Sequence, residues 1–187
     1  MSNKITKVVI LPGNGAGNVF RANWYGWLHK KVDRLEGITC RLENMPDPVG
    51  AKESVWVPFM KDTLGVDENT VIVGHSSGAV AAVRFAEKYK VGGILLVSGY
   101  SSDLGDANER ESGYFSRPWC WEETKANSGW ICQFGSMDDP FLPWDEQEEM
   151  ATGLSAKLMK FTDKGHFMSS TCPDILKVLT EYIVNSS

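Results

Sequence analysis

The five residues Gly74-His75-Ser76-Ser77-Gly78 place a serine between two glycines. They follow the β-branched run Thr70-Val71-Ile72-Val73 and precede a stripe of small apolar residues, Ala79, Ala82, Val83 and Ala86. A strand that turns this sharply into a helix strains the backbone at the serine and lifts its hydroxyl above the sheet; only small neighbours fit such a turn. The helix N-terminus behind it adds a positive dipole end and free N–H groups. The chemistry this serves is nucleophilic attack on a carbonyl. A serine hydroxyl is a weak nucleophile near neutral pH, so it requires a base.

The chain contains three histidines. His29, flanked by Lys30 and Lys31 in a helical pattern, is expected to face solvent. His75 lies inside the turn, where adjacent side chains diverge, and is expected to pack or to support. His166, in Asp163-Lys164-Gly165-His166-Phe167, follows the last β-like run and can reach back over Ser76; it is the expected general base. A base of this kind needs an acid to fix its tautomer and stabilise the imidazolium. Gly135-Ser136-Met137-Asp138-Asp139-Pro140 offers Asp138 and Asp139. The residues alone do not separate these two, and one is expected to cap the turn. The oxyanion formed by attack needs N–H donors. The Ser77 N–H is one. The second is expected from Pro12-Gly13-Asn14-Gly15-Ala16-Gly17, with Asn14 preferred and Gly15 next.

These residues must be carried by elements that converge. Runs at 5–11, 38–42, 70–73, 93–97, 129–134 and 156–161 are short, apolar and β-branched, several of them almost continuously so. Strands read this way when helices cover both faces of a parallel sheet. Helical spacing lies between them, at Trp24, Trp27, Leu28, Val32 and Leu35, at the alanine stripe, and at Ile175, Leu176, Val178, Leu179, Tyr182 and Ile183 after Pro173. Strand–helix alternation argues for an α/β layered fold. Pro58 is expected to break or kink the helical stretch 51–64. Residues 100–127 interrupt the rhythm with Ser, Gly, Asp and aromatics, as a long functional loop would. They are expected to form a small aromatic-rich cap segment within one domain spanning 1–187. Tyr100, Tyr114, Phe115, Trp119, Trp121, Phe141, Trp144 and Phe167 are the candidates to line an apolar substrate pocket.

The 187 residues fit one globular domain, with 42% hydrophobic and 23% charged residues, which excludes a disordered or collagen-like chain. A net charge of −5 provides no general basic field, so nucleic-acid binding is not expected. The four cysteines, Cys40, Cys120, Cys132 and Cys172, are scattered without a Cys-x-x-Cys pair. No zinc site is expected, and the thiols are expected to be reduced and mostly buried. The N-terminal apolar run is too short for a signal-peptide core, and the run at 91–97 is too short to span a membrane. No membrane association is expected; the expected location is the cytoplasm, with the nucleus reached by diffusion.

Taken together, Pro-Gly-Asn-Gly-Ala-Gly, Gly-His-Ser-Ser-Gly, Asp-Asp-Pro-Phe-Leu-Pro-Trp and Gly-His-Phe resemble the retinoblastoma-binding protein nine family, small serine hydrolases of the α/β-hydrolase superfamily. The resemblance extends to Asn44-Met45-Pro46-Asp47-Pro48 and Ser112-Gly113-Tyr114-Phe115-Ser116-Arg117-Pro118-Trp119. It implies a triad of Ser76, Asp139 and His166, and so selects the second aspartate. It implies a compact six-stranded parallel sheet in the order 2-1-3-4-5-6. It also implies activity on esters or amides of hydrophobic amino acids. Attack by Ser76 is expected to pass through an acyl-enzyme, and no metal or organic cofactor is expected. The family's retinoblastoma-binding motif, Leu-x-Cys-x-Glu, corresponds here to Leu64-Gly65-Val66-Asp67-Glu68. Valine stands in the place of cysteine, so binding of the retinoblastoma protein is not expected.

Two other readings compete. Gly13-x-Gly15-x-Gly17 follows a strand as a dinucleotide-binding loop would, but Asn18 stands where that fingerprint needs its third glycine. A protein-interaction module on a catalytically silent hydrolase scaffold is the alternative to an enzyme; such scaffolds usually lack a triad member, and this chain has candidates for all.

Overall fold

A computed structural model describes residues 4–185. The apolar runs become six strands: β1 (Lys7–Leu11), β2 (Thr39–Leu42), β3 (Thr70–His75), β4 (Gly93–Val97), β5 (Ile131–Ser136) and β6 (Lys157–Phe161). All pair in parallel, in the order β2-β1-β3-β4-β5-β6. β3 and β4 lie inside the sheet and are buried along their whole length. β6, which carries Lys157 and Lys160 and has no fully buried residue, lies at an edge.

Successive side chains of a strand point to opposite faces, and the two cores follow from this. Val9, Leu11, Ile72, Ile94 and Leu96 face one layer, together with residues of α2 (Glu53–Asp62), α3 (Ser77–Ala86) and α6 (Trp144–Gly153). Val8, Ile10, Val71, Val73, Leu95 and Val97 face the other, with α1 (Tyr25–Val32) and α7 (Pro173–Asn185). The helix α3 is buried from end to end, so the alanine stripe lets it lie directly on the sheet. Every strand ends on the same edge, where β1, β3, β5 and β6 deliver the loops that carry Asn14, Ser76, Asp139 and His166.

Pro58 does not break its helix. α2 runs unbroken through it. Pro58 and Ser54, whose carbonyl loses its partner, both lie on the exposed face. Water can satisfy that carbonyl, which removes much of the cost of an interior proline.

The segment 100–127 is more ordered than a loop. It holds α4 (Ala107–Ser112) and α5 (Trp121–Asn127), and α5 packs against α3. Arg84 on α3, fully buried, donates to the carbonyls of Tyr114, Arg117 and Pro118 and pairs with Glu87 at 2.6 Å. Its guanidinium stacks on Trp119 at 3.8 Å from the ring centre. Cys40, Cys132 and Cys172 are buried and Cys120 is exposed, all as free thiols. No helix among the described residues is long and apolar enough to cross a membrane.

Candidate active site

Ser76 sits between β3 and α3 with φ 53° and ψ −118°. A non-glycine residue held at positive φ is strained, and the surrounding packing must impose it. The flanking glycines show how. A Cβ on Gly74 would lie 2.4 Å from the Gly78 carbonyl oxygen, and one on Gly78 would lie 2.6 Å from the carbonyl oxygens of both Leu11 and Pro12. The turn is therefore pressed against itself and against the end of β1. Ser77 opens α3, so its N–H has no partner within the helix.

His166 is brought to the same place. Its Nδ1–H donates to Asp139 Oδ2 at 2.7 Å, with the carboxylate fully buried and the imidazole 9% exposed. This bond fixes the tautomer and leaves Nε2 as the free, accepting nitrogen. Asp139 Oδ1 accepts from the amides of Phe141 and Leu142 at 2.9 and 3.0 Å. Burial works against its charge, but the bonds from His166 and these amides outweigh it and hold its carboxyl below the usual range.

Asp138 has a different task. Its Oδ1 accepts from Ser136 Oγ at 2.5 Å and from the Gly165 amide at 2.9 Å. The bond from Ser136, then that from Gly165, holds its carboxyl low. Ser136 Oγ in turn accepts from the Lys164 amide at 3.1 Å. The turn after β5 thus grips the loop that carries His166. The Trp24 indole N–H adds another hold, on the Phe167 carbonyl at 2.9 Å.

Ser76 and His166 line one cleft of about 660 Å³, with Asn14, Asn23, Tyr25, Tyr100, Phe141 and Leu142 among its walls. The ring of His75, next to Ser76 in the chain, lies 4.9 Å from that of His166. Among the described residues no hydrogen bond joins Ser76 Oγ to the His166 ring; catalytic hydrogen bonds are often long or poorly aligned in the absence of substrate.

Several expected site residues lie elsewhere. Gly15 donates its N–H to the Pro48 carbonyl at 2.7 Å, so it is not available as an oxyanion donor. The Asn14 N–H makes no hydrogen bond within the described residues. Among the expected aromatics, Phe141 and Tyr100 reach the cleft. Tyr114 and Phe167 are buried in the two cores. Phe115, Trp119 and Trp121 pack together against the α3 face, where they cover Arg84 and the helix rather than the cleft. Trp144 opens α6 over Gly135 of β5, with the Lys160 ammonium 4.5 Å from its ring centre. His29 is half-buried against Phe20 and does not line the cleft. The walls that sequence reasoning missed are Asn23, Leu104, Asp106 and Met168 from connections and Asn108 and Glu109 from α4, none of them marked by a motif.

A parallel sheet in this order with a strained serine elbow at its carboxyl edge defines an α/β hydrolase. The serine hydrolase family model matches residues 8–173, and the chain belongs to that family and is a hydrolase. Serine hydrolase RBBP9 of Rattus norvegicus is 57% identical over 174 residues, 93% of this chain and 94% of that protein. YdeN of Bacillus subtilis (strain 168) is 30% identical over 176 residues, 86% of this chain and 88% of its own. The crystal structure of the B. subtilis ydeN gene product superimposes with a TM-score of 0.85 at 25% identity, covering 97% of this chain and 100% of that one. Arabidopsis thaliana SOBER1 shares the fold alone, at a TM-score of 0.64 and 16% identity, over 97% of this chain and 98% of its own.

Proposed function

We propose that the protein cleaves small esters or amides through a triad of Ser76, His166 and Asp139. The observation that carries this reading is the 2.7 Å bond from His166 to buried Asp139, made at the rim of the cleft that the strained Ser76 lines. Ser76 Oγ attacks the carbonyl carbon, and its proton passes to His166 Nε2. The N–H groups of Ser77 and Asn14 hold the resulting oxyanion. Nε2–H then protonates the departing oxygen or nitrogen, the carbon–leaving-group bond breaks, and an acyl-enzyme remains. Water, activated by His166, releases the acid and restores the serine.

The cleft favours an apolar acyl group that carries an amine, as in esters and amides of hydrophobic amino acids. Leu104, Phe141, Leu142 and Met168 provide apolar wall, and Asp106 and Glu109 provide carboxylates. No lysine or arginine is among its described lining. Leu64 and Val66 of the Leu64-Gly65-Val66-Asp67-Glu68 stretch are 2% and 1% exposed. Side chains so buried are not presented to a partner, which supports the reading that this segment is no retinoblastoma-docking motif.

A fluorophosphonate probe tests the nucleophile. The wild-type protein is expected to label and Ser76→Ala to remain unlabelled. Equal labelling of both would remove Ser76 from the role.

A further inference from the structure

The hydrogen bonds of Tyr25 and His75 have a single consistent direction. His75 is 2% exposed, and its Nε2 lies 2.8 Å from the His166 carbonyl oxygen. A carbonyl only accepts, so Nε2 carries the proton. Burial, with His166 beside it, pushes the pKa of His75 down to about 3, so the ring is neutral and Nδ1 is an acceptor. The Tyr25 hydroxyl, 2.5 Å from Nδ1, therefore donates to it. The lone pairs of that hydroxyl are left to accept the Gly13 N–H at 3.0 Å and the Asn23 side-chain amide at 3.1 Å.

We propose that Tyr25 and His75 form a positioning clamp that sets the catalytic geometry, holding the oxyanion loop, the serine elbow and the base loop at fixed separations. The proposal rests on the Ser76–His166–Asp139 reading. Gly13 immediately precedes Asn14, His75 immediately precedes Ser76, and the clamp ends on the carbonyl of His166 itself. One chain of bonds thus joins the three segments that must act on the same carbonyl, although they lie far apart in sequence. The clamp holds main chain and leaves the reactive Nε2 of His166 untouched. Its members are positioning residues. Their effect is on alignment, where a displacement of about 1 Å costs on the order of 100-fold in rate. Tyr25 opens α1, and Trp24 beside it holds the Phe167 carbonyl. The start of α1 therefore holds the base loop directly through Trp24 and, by way of His75, through Tyr25.

The test uses p-nitrophenyl butyrate as probe substrate, with thermal melts to establish that each variant is folded at the assay temperature. Tyr25→Phe removes one oxygen and leaves the shape. It is expected to lower kcat roughly 10- to 100-fold while KM stays within about two-fold, the split that lost alignment produces. His75→Gln can still donate an amide N–H toward the His166 carbonyl and should retain more kcat than His75→Leu. A measurement that needs no variant runs beside these. The imidazole nitrogen spectrum of the wild-type protein at pH 7 should show His75 as the neutral Nε2–H tautomer. Folded Tyr25→Phe and His75→Leu with wild-type kcat, or a wild-type His75 that is an Nδ1–H tautomer, would overturn the clamp. Ser76→Ala is the reference. If it is inactive while Tyr25→Phe turns over normally, the clamp alone fails. If it turns over like wild type, the nucleophile reading fails and the clamp falls with it.

Discussion

Asp138 and Asp139 occupy adjacent positions in one turn, yet their oxygens answer to different groups. Asp139 receives the imidazole N–H and two backbone amides, whereas Asp138 receives a hydroxyl and the Gly165 amide. Replacing Asp139 by Asn offers the ring either an acceptor or a donor; with a donor there, Nδ1 must accept and the proton moves to Nε2, where it blocks transfer from Ser76. Asp139→Asn is expected to lower kcat by on the order of 10³- to 10⁴-fold. Asp138→Asn keeps an acceptor oxygen for Gly165 and Ser136 and is expected to stay within about ten-fold of wild type, since only the grip on the base loop weakens. Steady-state turnover of an aryl ester separates the two, and the reverse order would transfer the role to Asp138. Nothing in the sequence distinguishes these residues by physics, because both are good turn formers. What separates them is the direction each carboxylate takes out of the turn, and that depends on Phe141, Leu142 and Gly165. Gly15 illustrates the same limit. Its type suits an inward-turned N–H, but the Pro48 carbonyl, contributed by a distant loop, has claimed it.

Among the elements, the strands were the most legible, because continuous β-branched runs have few other uses in a chain of this length. The elbow was legible for the same reason, since its glycines are required by close approach on both sides. Gly78→Ala would drive a Cβ to 2.6 Å from two main-chain oxygens, neither at the end of a flexible side chain. The expected result is a loss of about 1–3 kcal/mol or more. That lowers the melting temperature by about 2–4 °C per kcal/mol. Gly17→Ala, where a Cβ meets nothing within 4 Å, is the control. Equal melting of the two variants would show that the end of β1 yields easily and does not pack the turn. The aromatic segment was not legible. Tyr114, Phe115, Trp119 and Trp121 have the composition of a pocket, but the buried guanidinium of Arg84 decides their placement. It needs carbonyl acceptors and a ring to lie against, and residues 114–119 supply both. No local pattern announces that a single arginine on a buried helix will organise a segment some thirty residues away. Pro58 failed as a helix breaker for a related reason: its cost depends on whether the orphaned carbonyl reaches water, which only the packed structure decides.

On the scale of the whole molecule, the clamp ties folding to protonation, and the sign can be worked out. His75 is neutral in the fold with a pKa lowered from 6.5 to about 3, chiefly by burial. Between those values the unfolded chain binds a proton that the native protein does not. His75 therefore contributes no pH dependence above about pH 6.5, and its contribution falls as the pH drops through that window toward 3. The slope approaches about 1.4 kcal/mol per pH unit for one proton. The depressed carboxyls of Asp138 and Asp139 act in the same direction but only near and below the ordinary aspartate value of 3.8, so they leave the upper part of the window to His75. Urea unfolding of wild type and His75→Gln at pH 7, 6, 5 and 4.5 gives the comparison, because groups common to both proteins cancel in the difference. The wild-type curve should fall away from its pH 7 value faster than the variant curve, by close to one proton's slope below pH 6. Parallel curves would mean that His75 accepts a proton in the folded state. The bond from the Tyr25 hydroxyl to a neutral ring would then no longer describe the molecule.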